Sequence, residues 1–345
     1  MSSRSKGPRG PHGSLQQVAT TAAAALIISA GIFHGGEARA ETPSGTVTFY
    51  SSMVLDVVEP IIAEFEERHP EITVDLLYSG SVELEQRIFS EIEAGDLRAD
   101  VIWAANPALF LNLKDAGWLQ AHASEHRDAI PEGLRDPDDM FFAGRVHNMG
   151  IGYNTNLVSA DDLPTTWAEF LEWGPQAALA SPLHSGTNFN MMGAFVQNEG
   201  IGWEWFEQAR EAGVQVVRGT GDVTRGLVSG EFAVIKGIDY IMAGEAAKGA
   251  PVAFTFVEDG VLSLPSPIAI GREARNPEAA KAFVDFILSA EGQQVLVDRY
   301  FLPVRTDVDP PAGLPSPSEI VALDVDFEWL AENGGELRER FADLY

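Results

Sequence analysis

The chain has 345 residues, no cysteine, and 51 acidic against 23 basic side chains, for a formal charge of −28. That charge excludes a non-specific nucleic-acid binder, which needs basic patches against phosphate, and a protein held on anionic lipid. The missing cysteine excludes disulfides, thiolate catalysis and Cys-ligated metal centres, while 45% hydrophobic residues over this length suffice for a full core and favour two lobes over one.

Residues 1–17 carry Arg4, Lys6 and Arg9 and no acid. Val18 to Phe33 is apolar or small, and Ala38-Arg39-Ala40 follows as a small-residue cleavage pattern. That order predicts a secretory signal over residues 1–40, a mature chain beginning at Glu41, and a periplasmic protein. The apolar stretch is shorter than the ~20 residues of a spanning helix. Without residues 1–40 the chain would hold 19 basic and 50 acidic residues, a charge of −31.

From residue 46 strand and helix patterns alternate. Val47-Thr48-Phe49-Tyr50 reads as a strand, and residues 56–68 as a helix with Val57, Val58, Ile61, Ile62 and Phe65 on one stripe and Asp56 placed to cap it. Ile72 to Tyr78 is the next strand; Leu84, Ile88 and Ile92 mark the next helix; Asp100 to Trp103 is a short buried strand; and Pro107 opens a helix ending near Gly117. This βαβαβα run predicts an α/β protein with a parallel sheet flanked by helices. A polar stretch over 120–144 breaks the pattern, and Val146 to Tyr153 follows as a long strand. Helices are expected around 166–173, 186–198, 201–212 and 222–230, with strands at 233–238 and 252–257. Ser263 to Ile270 is extended, Asn276-Pro277 caps and starts a helix, and one or two terminal helices follow a Pro-rich stretch at 309–316. Two long extended segments, 146–153 and 263–270, are placed to join two lobes, with a cleft outside the carboxyl ends of the strands.

No Walker loop, G-x-G-x-x-G, H-E-x-x-H or G-x-S-x-G motif is present. His122 and His126 sit four apart but lack a third ligand nearby, so they read as solvated surface. What recurs is a hydroxyl or glycine at strand-to-helix junctions: Ser51-Ser52, Ser79-Gly80-Ser81, Ser185-Gly186-Thr187, and Gly219 to Thr224. Each sets free N–H groups and a hydroxyl at a helix start, which suits an anion. Each is equally an ordinary N-cap. Four on one cleft rim favour ligand binding.

The segments VTFYSS (47–52), ITVDLLYSGSVELEQRI (72–88), ADVIWAANPALFLNLKDAGWL (99–119), SPLHSGTNFNMMGAFVQ (181–197), SGEFAV (229–234) and NPEAAKAFVDFILSAEGQQVL (276–296) resemble the periplasmic solute-binding proteins of ABC importers. The resemblance is to the cluster of ferric-ion, phosphonate, sugar-phosphate and thiamine binders. It implies a two-lobed type 2 periplasmic-binding fold. Each lobe is then a mixed, mostly parallel sheet flanked by helices, with residues 41–147 and 266–345 in lobe one, 148–265 in lobe two, and the two crossing strands as the hinge. It further implies a monomer without catalytic residues or cofactor, which closes on its solute and docks on an ABC permease in the inner membrane.

Ferric members of that cluster carry a His after the first strand, a Glu after the third, and a Tyr pair after the 233–238 strand. Here those places read Ser51 to Val54, Ala104-Ala105-Asn106 and Asp239-Tyr240. One phenolate is a poor match for Fe³⁺, so no metal site is assigned and iron stands as the alternative cargo. The His-Asp pair of sugar-phosphate members is replaced by Tyr240-Ile241. The expected ligand is a small organic anion: a phosphonate, phosphate ester or carboxylate. Ser51, Ser52, Ser81, Ser185, Gly186 and Thr187 are expected to hold the anionic group, with Thr224 as a further donor. Asp239 and Tyr240 would meet the other end, and Arg225 is the nearest expected cation. A secreted enzyme on a similar scaffold and a sensor that hands ligand to a membrane receptor are the competing readings.

Overall fold

Ten strands make one continuous sheet in the computed structural model, which describes residues 43–312, 314–315 and 319–345. The signal expected over residues 1–40 lies outside the described residues. The sheet has two parallel wings around an antiparallel centre. The first wing is β2 (Ile72–Tyr78), β1 (Gly45–Ser51) and β3 (Val101–Trp103). The second is β8 (Val234–Ile238), β6 (Ala177–Ala180) and β7 (Gln215–Val217). Between them run β10 (Leu262–Gly271) and β5 (Phe142–Asn154), antiparallel to each other and to the strands they meet. Short strands β4 (Leu119–Gln120) and β9 (Val252–Thr255) pair with β10 and β5.

Eleven α-helices are described. In chain order they are α1 (Leu55–Arg68), α2 (Ser81–Glu93), α3 (Pro107–Asp115), α4 (Trp167–Leu171), α5 (Gly186–Gln197) and α6 (Glu204–Ala212). They continue with α7 (Thr220–Ser229), α8 (Asp239–Ala247), α9 (Pro277–Leu288), α10 (Ala290–Val297) and α11 (Phe327–Leu344). The apolar stripe of α1 buries Val58, Ile61, Ile62 and Phe65, with the Phe65 ring against Phe283 of α9 at 4.9 Å. The wing strands are buried on both faces, as parallel strands under helices must be: every residue of β3, β6 and β8 is buried.

Two caps differ from the sequence reading. Val54, not Asp56, holds the N-cap of α1, and the Asp56 carboxylate reaches Lys248 Nζ at 3.6 Å. Asn276 sits at the N-cap of α9, but its amide donates to the Ser44 and Thr46 carbonyls, tying β1 to the helix start. Strands β6 and β7 and helix α8 were not anticipated. β6 is AALA, with no β-branched residue to mark it.

The prolines of β10 are accommodated by a register shift between Ser266 and Pro267. Ser266 faces Arg145 and Pro267 faces Ala143, so Gly144 is the extra residue of a β-bulge. A Cβ on Gly144 would lie 2.7 Å from the Trp103 indole, whose Nε1 donates to Ser266 O at 3.1 Å. The bulge sits one residue before Arg145, where it bends the strand and aims that side chain.

Candidate ligand-binding site

Five strands end at one place. The carboxyl ends of β1, β2, β3, β6 and β8 run into Ser51-Ser52, Ser79-Gly80-Ser81, Ala104 to Asn106, Ser181 to Thr187 and Asp239-Tyr240. The junctions touch. Ser79 N donates to Ser51 O at 3.2 Å, Ala105 N to Ser52 Oγ at 3.4 Å, and the Asn190 amide to Ala105 O at 3.4 Å and Gly186 O at 2.8 Å. A Cβ on Gly186 would lie 2.8 Å from Ser81 Cβ and 3.4 Å from Ala105 O. The starts of α2 and α5, one from each wing, therefore face each other, and both present first-turn N–H groups to the space between them.

The hydroxyls selected from the sequence divide into two groups. Ser51 is fully buried and satisfied by the protein: its Oγ donates to Trp103 O on β3 at 3.2 Å and accepts from Met53 N in its own turn at 3.1 Å. Ser185 caps α5, accepting from Asn188 N at 3.3 Å, and meets Thr220 Oγ1 at 3.2 Å. Ser52 and Ser81 are half-buried at the junctions, and Thr187 Oγ1 lies 3.3 Å from His147 Nε2. Thr224 and Tyr240 stand further along, on the wall of a groove of about 810 Å³. Arg225, expected as the nearest cation, is exposed and pairs with Asp222 one turn back on α7.

The cation that does enter the site is Arg145, which the sequence reading missed. It is 3% exposed, and its Nε and Nη1 have no hydrogen-bond partner. Its guanidinium carbon is 5.3 Å from the Tyr240 ring centre and 4.7 Å from that of Phe301. Those two rings stack at 4.0 Å. Cation–π attraction holds the guanidinium beside the two rings and leaves Nε and Nη1 free. Nε and Nη1 thus lack the hydrogen bonds that a buried charge calls for, although Asp239 is near enough to feel the charge.

His147 lies two residues on, on the same face of β5 by strand alternation. Burial, and secondarily the charge of Arg145, hold its pKa well below the ordinary value, so the imidazole is neutral at pH 7. It links Thr187 to Ser266, whose Oγ is 3.4 Å from Nδ1, and its ring meets Tyr240 edge-on at 6.0 Å. The neutral ring thus ties the α5 start to the central strands beside Arg145.

Asp239 is wholly buried at the first turn of α8. It accepts from the Asn148 amide at 2.7 Å and from Tyr240 N at 2.8 Å. Burial pushes its pKa up to about 6, against the lowering effect of those hydrogen bonds and of Arg145. Both carboxylate oxygens are engaged within the protein. The amide oxygens of Asn148, Asn188 and Asn190 are buried without partners and can accept from a ligand hydroxyl, a ligand amine or water.

His122 is not simply solvated: its Nε2 lies 2.8 Å from Asp285 Oδ1, which also accepts from Ser124 Oγ. Among the described residues no group of three or more His, Asp or Glu is placed to hold a metal ion.

The sequence profile of the bacterial extracellular solute-binding proteins matches residues 53–294, which spans every junction above but Ser51-Ser52. The chain belongs to that family. A Haemophilus influenzae protein, itself uncharacterized, is 22% identical over 316 residues, covering 88% of this chain and 90% of its own. Among solved structures, the periplasmic binding protein AfuA from Actinobacillus pleuropneumoniae, with fructose-6-phosphate bound, superposes with a TM-score of 0.78. It is 22% identical and covers 87% of this chain and 98% of its own. Iron-bound HitA from Pseudomonas aeruginosa superposes at 0.75, with 19% identity and coverage of 87% and 99%. These neighbours carry the type 2 periplasmic-binding fold, and this solute-binding protein shares it. The family consists of binding proteins rather than enzymes.

Proposed function

We propose that this solute-binding protein captures a small organic anion and delivers it to an ABC permease. The anionic group, a phosphonate, phosphate ester or carboxylate, sits between the Arg145 fork and the α5 start at Gly186-Thr187, with Ser52 and Ser81 on the opposite wing. The single observation behind this reading is the buried, unpartnered guanidinium of Arg145 beside Tyr240. It also weighs against iron, the alternative cargo. A fixed positive charge about 5 Å from the one candidate phenolate repels Fe³⁺, and Asp239 already spends both oxygens on Asn148 and Tyr240. That AfuA holds a sugar phosphate on the same fold supports an organic anion.

Binding needs no covalent step. A ligand touching Ser81 and Gly186 bridges the two wings, with residues 41–147 and 266–345 as one lobe and 148–265 as the other. It favours the closed arrangement through its differential affinity for it. The chain acts as a monomer in the periplasm after loss of residues 1–40. Mass spectrometry of the small molecules released on denaturing protein purified from its source cell tests the reading. An anionic organic solute at near-equimolar amount supports it; stoichiometric iron with no such solute refutes it.

A further inference from the structure

The groove of about 810 Å³ beside the anion site is far larger than an oxyanion requires, and mainly apolar surface lines it. Val54 at the N-cap of α1, Val57 from α1, Val228 from α7, and Ile241 and Ala247 from α8 line it together with Tyr300. Val54 is exposed, an uncommon state for a large aliphatic side chain at a helix start. The groove joins the anion site through Tyr240, whose ring both lines it and stacks under the guanidinium of Arg145.

Charged residues also border the groove, but its three acids and three bases sum to no net charge. Lys248 pairs with Glu245 at 3.0 Å and Asp56 at 3.6 Å, and Arg225 with Asp222. Arg299 donates to Val295 O at 2.7 Å, and Asp298 accepts from the Gln294 amide at 2.8 Å. No net charge remains for a second ionic group on the ligand. Tyr300 holds a φ of 69°, a left-handed conformation that a bulky side chain rarely adopts. The outlier lines the groove, and such strain concentrates at ligand-contacting positions.

Resting on the anion-binding reading above, we infer that the ligand carries a neutral, apolar body which fills this groove while its anionic head meets Arg145. The solute class is then an aryl- or alkyl-substituted phosphonate, phosphate ester or carboxylate. A polyhydroxylated body gains little here, because the walls offer it few free hydrogen-bonding groups.

Calorimetry with three probes tests this: inorganic phosphate, glycerol 3-phosphate and benzylphosphonate, on wild type and on the Val54→Gln/Val228→Gln double variant. Both substituted positions are at least partly exposed helix-region sites, so the fold tolerates glutamine, and a thermal melt confirms it. Benzylphosphonate should bind at least about tenfold tighter than glycerol 3-phosphate, which burial of ~60 Å² of apolar surface produces. The preference should shrink severalfold in the double variant. Equal or tighter binding of glycerol 3-phosphate, or a preference unchanged in the double variant, overturns the apolar-body inference and leaves the anion site standing. Failure of all three probes to bind wild type overturns both.

Discussion

Gly186 and Ser81 stand so close across the two wings that a methyl group on Gly186 would come within 2.8 Å of Ser81 Cβ and 3.0 Å of its Oγ. One residue opens α5 and the other opens α2. Only a residue without a side chain lets these helix starts approach, and the proposed anion site depends on their approach. Gly186→Ala should therefore weaken ligand binding by about tenfold or more while the melting temperature stays within a few degrees, because the wings can part to relieve the clash. Ser81→Gly in the same background relieves the clash and should recover part of the affinity, short of what the Ser81 hydroxyl contributes. Calorimetry on the single and double variants decides; a single variant that binds normally refutes the close approach.

Much of this arrangement is legible in the sequence, and the reason is local. Ser185-Gly186-Thr187 announces the α5 start by the chemistry of capping, which operates within four residues, and Ser79-Gly80-Ser81 marks the α2 start although Gly80 takes the cap there without a side-chain bond. The crossing strands β5 and β10 show as long extended runs, and the parallel wings as alternating strand and helix patterns. Arg145 and His147 were not legible. Arg145 is buried because a bulge at Gly144 aims it and because rings from residues 240 and 301 close over it. Nothing near position 145 in the chain signals either. Asp239 was legible as a polar residue after a strand, but its ties to Asn148 and to its own helix start need the fold. α1 starts one residue earlier than the sequence suggests, at Leu55, so Asp56 falls inside its first turn and Val54 takes the cap without a side-chain hydrogen bond.

Lys236 of β8 is fully buried, with its ammonium 4.8 Å from the Phe195 ring, 5.4 Å from Trp205 and 5.5 Å from Phe206. Burial lowers its pKa to about 7. Between pH 7 and the unfolded value near 10.5 the unfolded chain binds the proton and the folded chain does not, so stability rises with pH across that window. Below pH 7 the full burial penalty stands, offset in part by the three rings. Lys236→Met should flatten the profile and raise stability at pH 6 by on the order of 1 kcal/mol or more. Chemical denaturation at pH 6 and pH 9 measures it, and a variant as pH-dependent as wild type would count against this role.

Asp239 contributes the opposite slope. Its folded pKa of about 6 lies above the ordinary value of 3.8, so the folded chain holds its proton longer and stability falls as pH rises from about 4 to 6. Asp239→Asn keeps an acceptor for Asn148 or Tyr240 N–H and removes the ionisation. The expected result is a loss of that slope, with equal or greater stability at pH 7. A variant that retains the slope, or that is destabilised by several kcal/mol at pH 7, would show that the ionised carboxylate is required.

The pattern at Ala38-Arg39-Ala40 predicts a mature chain beginning at Glu41. Amino-terminal sequencing of protein recovered from its source cell should read Glu-Thr-Pro-Ser-Gly. Recovery of an intact Met1 or Ser2 terminus would contradict export by cleavage.

Arg145 carries the functional account, and its removal is the most direct test. Charge-assisted hydrogen bonds contribute about 1.5–3 kcal/mol each, so loss of a two-pronged contact should weaken anion binding by about 100-fold or more. The measurement is calorimetric titration of wild type, Arg145→Lys and Arg145→Met with the solute recovered from the native protein. The account predicts near-complete loss of binding in Arg145→Met, partial retention in Arg145→Lys, and a melting temperature within a few degrees of wild type in Arg145→Met, since an apolar side chain of similar length replaces a buried charge whose Nε and Nη1 make no hydrogen bond. Undiminished affinity in Arg145→Met would contradict it.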